Sequence, residues 1–73
     1  MRIKINLDTM RQAQELAQIT SQLPGTITIT DGAGLRVNAK SILGILYSIE
    51  FNEIWLESEH DIYRYVKDFV AGE

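Results

Sequence analysis

Arg2 to Leu7 alternates, with Ile3, Ile5 and Leu7 on one side and Arg2, Lys4 and Asn6 on the other. That period of two predicts a half-buried strand. Asp8 and Thr9 then offer a helix start, and Thr9 with Gln12 has the spacing of a capping box. Met10, Ala13, Leu16, Ala17, Thr20 and Leu23 recur every three or four positions, which predicts an amphipathic helix stopped by Pro24-Gly25. Thr26 to Thr30 reads as a strand with Ile27 and Ile29 inward and its three threonines outward. Asp31-Gly32-Ala33-Gly34 is a hairpin turn, and Leu35 to Asn38 is the short return strand. A second helix is expected over Ser41 to Ser48, with Gly44 inside it. Asn52 to Ser58 alternates again, placing Ile54 and Leu56 inward and Glu53, Trp55 and Glu57 outward. Ser58-x-x-Asp61 is a further capping signal, ahead of a last helix with Ile62, Tyr65, Val66, Phe69 and Val70 on one stripe.

The order is βαββαβα, without an internal repeat or linker, and it predicts one α+β domain over residues 1–73. Four strands with one apolar face each need a single covering layer. Three helices supply it, leaving a four-stranded antiparallel sheet covered on one face and open to water on the other. Two architectures share this order: a ferredoxin-like fold with an added helix, and an open-faced β-sandwich.

Size sharpens the question of the second helix. A chain of about 60 residues buries only roughly 60% of the surface its unfolded form exposes. Yet Ile42, Leu43, Ile45, Leu46 and Tyr47 crowd into six positions behind Ser41, and a short helix turns only one side to a small core. Ile45 with one neighbour is expected to pack inward. Ile42, Leu43, Leu46 and Tyr47 are then left at least partly exposed, unless Ile49, Phe51 and the following loop fold over them.

Composition removes several functional classes. There is no cysteine and one histidine, His60, so disulfides, thiolate metal sites and multi-histidine metal sites are excluded. The net charge is −3 and the basic residues are scattered, which argues against a nucleic-acid surface. No apolar run approaches the roughly 18 residues of a membrane span, and the first residues enter a strand pattern rather than a signal peptide. The expectation is a soluble, cytoplasmic protein.

Val37-Asn38-Ala39-Lys40-Ser41-Ile42-Leu43-Gly44-Ile45-Leu46 resembles the regulatory-serine segment of HPr, the small phosphocarrier of the bacterial phosphoenolpyruvate:sugar phosphotransferase system. The resemblance of that run implies the open-faced β-sandwich, and the element order resembles the family over essentially the whole chain. The resemblance implies a regulatory phosphorylation candidate at Ser41, a partner-docking surface at Lys40, Ile42, Leu43, Leu46 and Tyr47, and no cofactor. The partners implied are proteins: an HPr-type serine kinase, a transcription factor or phosphotransferase-system enzymes.

The family's phosphorylatable histidine, in a His-Ala-Arg-Pro-Ala string, is missing. The matching place reads Thr9-Met10-Arg11-Gln12-Ala13, so Thr9 stands where the histidine would be, with Arg11 retained. An imidazole nitrogen makes a labile phosphoramidate, whereas a threonine hydroxyl makes a stable ester and has no useful lone pair at neutral pH. Phosphorelay here is chemically disfavoured. His60, next to Glu59 and Asp61 near the start of the last helix, reads as a solvated first-turn residue.

The remaining candidates have plain structural readings. Ser41 is equally a helix N-cap, worth about 1 kcal/mol over alanine. Trp55 faces the open side of the sheet, where Arg2 or Lys4 on the first strand could lie over the indole; the alternative is a dimer or ligand surface. The Asp31–Gly34 turn lacks the lysine and serine or threonine of a phosphate loop and joins two strands. No histidine or cysteine stands ready to pair with Tyr47, Tyr63 or Tyr65, and no spacing brings the carboxylates together. No catalytic constellation is expected.

Overall fold

A computed structural model describes residues 1–72 of the chain. Its elements are β1 (Arg2–Ile5), α1 (Met10–Ser21), β2 (Ile27–Thr30), β3 (Arg36–Asn38), α2 (Ile42–Ser48), β4 (Ile54–Ser58) and α3 (Tyr63–Val66), followed by a 3-10 turn, Lys67–Phe69. The strands form one antiparallel sheet in the order β1-β4-β2-β3.

Register explains the two faces. Ile3, Leu56, Ile29 and Val37 lie in one row across all four strands, and Ile5 lies opposite Ile54. These side chains meet Ala13 and Leu16 from α1, Ile45 from α2, and Ile62, Val66 and Phe69 from the C-terminal turns. The opposite face carries the rows Arg2-Glu57-Thr28-Asn38 and Lys4-Trp55-Thr30-Arg36. It is the charged, open side that the alternation predicts. No helix among the described residues is long and apolar enough to cross a membrane.

The Thr9 capping box forms with both hydrogen bonds: Thr9 Oγ1 accepts from the Gln12 N–H, and Gln12 Oε1 accepts from the Thr9 N–H. Further along α1, the fully buried Thr20 hydroxyl donates to the Ala39 carbonyl at 2.6 Å and ties the helix to the end of β3. Thr20→Val keeps the shape but leaves that carbonyl without its donor. The expected loss is about 1–3 kcal/mol, read as a lower urea midpoint at unchanged slope.

Four expectations need correction. Thr30 is buried rather than outward in water, because Trp55 and Arg36 flank it across the sheet. Met10 is exposed, since it opens α1 before the helix crosses the core. Ser58 does not cap the last helix: it ends β4 and its hydroxyl accepts from the His60 N–H, while Asp61 accepts from the Tyr63 N–H. The predicted long last helix is a single α turn with no side-chain cap, passing into the 3-10 turn. Ile62, Val66 and Phe69 stay inward, but Tyr65 turns to solvent and Val70 leaves the helix in an extended conformation. Val70 then bridges Ile5, with Asn6 N–H donating to the Phe69 carbonyl and Ala71 N–H to the Lys4 carbonyl. The pairing draws the chain off its helical path and covers part of the outer edge of β1.

Candidate functional site

The segment between β3 and α2 is built from short polar links. Asn38 Oδ1 accepts from the Lys40 N–H at 2.8 Å, and the Asn38 carbonyl accepts from the Ser41 N–H at 3.2 Å. Ser41, in an extended conformation, caps α2 through its hydroxyl, which accepts from the Gly44 N–H at 3.3 Å. The hydroxyl is therefore in use structurally, on a residue that is only partly buried.

The helix that follows turns Ile45 and Ser48 fully inward. Leu46 packs against the edge of the core. Leu43 is 76% exposed, Tyr47 56% and Ile42 36%. Leu43 and Tyr47 are four residues apart and lie on one side of the helix. Ile49 and Phe51 fold back against the core, and Phe51 meets the Tyr47 ring edge-on at 5.7 Å between centroids. That contact steadies Tyr47 without covering Leu43. Lys40 takes another direction, its ammonium donating to the Leu23 carbonyl beyond the end of α1 at 2.6 Å.

Gly44 explains why α2 can sit so low. A Cβ at that position would lie 2.8 Å from the Asn38 carbonyl oxygen and 3.3 Å from Val37 Cβ. The helix rests on the backbone of β3, and only hydrogen fits in the gap.

Thr9 and Arg11 lie away from Ser41, at the other end of α1. The start of α2 lies against the end of α1, through the Thr20–Ala39 and Lys40–Leu23 bonds. Thr9 is at the opposite end of α1, a helix about 18 Å long. Its hydroxyl is the acceptor in the capping box, and Arg11 beside it is exposed, with no ion pair among the described residues. His60 is exposed elsewhere, over Gly25, while neighbouring Glu59 accepts from the Thr26 N–H at 2.7 Å.

On the open face the Arg2 guanidinium lies 4.7 Å above the Trp55 ring, and the indole N–H donates to Glu53 at 3.0 Å. Glu57 pairs with both Arg2 and Arg36, and Lys4 approaches Glu53. Sequence reasoning missed Arg36 in this network. Its outward parity on β3 was the available signal, but it needed the β4-β2-β3 order to become a contact. In the β2–β3 turn, Asp31 accepts from the Ala33 and Leu35 N–H groups, and these bonds, Ala33 first, hold its carboxyl below the ordinary aspartate range. Three backbone N–H groups donating to the Thr30 and Asp31 side chains, with two glycines at positive φ, make this a braced hairpin. Among the described residues no cluster of three metal-ligating side chains occurs.

Comparison with family models, curated proteins and solved structures finds no match to this chain.

Proposed function

We propose that the chain is an HPr-like adaptor domain that docks protein partners through α2 and has no histidine phosphocarrier activity. The observation that carries this reading is the exposure of Leu43 and Tyr47 on one side of a helix whose other side is fully buried. The strand order supports the architecture. β4 lies between β1 and β2, as in the open-faced sandwich, whereas a ferredoxin-like sheet pairs β1 with β3 at its centre. The ten-residue run from Val37 to Leu46 supports the kinship.

The scale of the surface defines the kind of partner. The exposed parts of Ile42, Leu43 and Tyr47 are on the order of a few hundred Å2, comparable to the largest apolar patch of a typical monomer, which is often functional. A standard stable interface needs about 800 Å2 from each side. The patch suits a brief encounter with another protein better than a permanent dimer. Ser41 stands at its edge, and a phosphoryl group there would set a charge of nearly −2 beside Ile42 and Leu43. Such a charge would alter docking without refolding the domain.

Incubation with an HPr-type serine kinase and ATP is expected to add about 80 Da, one phosphoryl group, and Ser41→Ala is expected to abolish the gain. No gain on the wild-type chain would remove the switch and leave the docking surface to be judged separately. The rival reading, phosphotransfer through another group, requires phosphoenolpyruvate-dependent label at Thr9 or His60 from the first enzyme of the system. None is expected at Thr9, where the hydroxyl serves the capping box.

A further inference from the structure

No further inference is drawn: the strongest candidate, the shallow trough lined by Thr26 and Thr28 on the open face of the sheet between Arg36 and Glu57, carries nothing, because those two charged groups are already paired with each other and nothing in the structure shows what covers it.

Discussion

Gly44→Ala is expected to lower the melting temperature of the domain, and Gly44→Val to lower it further. A glycine in a helix interior ordinarily costs about 1 kcal/mol relative to alanine, so propensity alone predicts stabilisation from the first change. The packing predicts the reverse. A methyl group would stand 2.8 Å from the Asn38 carbonyl oxygen, and this neighbour is backbone in β3, not the free end of a side chain. Relief requires α2 to lift or β3 to bend. Overpacking of this kind costs roughly 1–3 kcal/mol and occasionally more. The alanine variant should therefore lose about 1 kcal/mol net and the valine variant about 3 kcal/mol. For a domain of this size 1 kcal/mol corresponds to about 4–8 °C. A thermal melt in which Gly44→Ala raises the midpoint would show that α2 does not rest on β3 as described.

The second large effect is expected in binding, with stability nearly unchanged. Leu43→Asp alters a side chain that is 76% exposed, and surface changes of this type usually move stability by less than about 0.5 kcal/mol. If Leu43 is a centre of the docking surface, placing a carboxylate there should cost about 2 kcal/mol or more in affinity, or roughly 30-fold. Tyr47→Ala should act in the same direction. It should also loosen Phe51, whose ring it meets, so Leu43→Asp is the cleaner variant. The contrast matters because core damage and surface damage both reduce binding. Only a melting temperature that stays near wild type while affinity falls assigns the loss to the surface. Isothermal titration with an HPr-type serine kinase, paired with a melt of each variant, reads both quantities.

How far the sequence foretold this depends on the range of the interaction involved. The strands β1, β2 and β4 follow from alternation, because a half-buried strand has no other way to divide Ile3 from Lys4 or Leu56 from Trp55. The Thr9 box was legible down to its bonds, since both partners lie within one turn. The cap at Ser41 was legible for the same reason. Arg2 over Trp55 needed one step more, the adjacency of β1 and β4.

Longer-range effects escaped. Thr30 has an outward parity, and only the neighbours that the sheet order provides show that Trp55 and Arg36 bury it. Periodicity carried Val70 along with Val66 and Phe69, while a pairing with Ile5 some sixty-five residues earlier draws it into an extended conformation. Gly44 was placed inside the second helix without a role, and its purpose appears only where α2 meets β3. The exposed side of α2 was legible in part: counting apolar residues against available core predicted a surplus there. Which members face water was decided by the seating of the helix. Leu46 leans on the core, Leu43 does not, and Lys40 is drawn toward α1.

On the proposed reading, the outer side of α2 is where this domain meets other proteins. The most direct measurement is an amide NMR titration of the isotope-labelled chain with an unlabelled HPr-type serine kinase. Shifts and broadening are expected to concentrate at Ser41, Ile42, Leu43 and Tyr47, with the open-face strand residues Lys4, Thr28 and Trp55 unmoved. Perturbation confined to those strand residues, or none anywhere at saturating kinase, would contradict it.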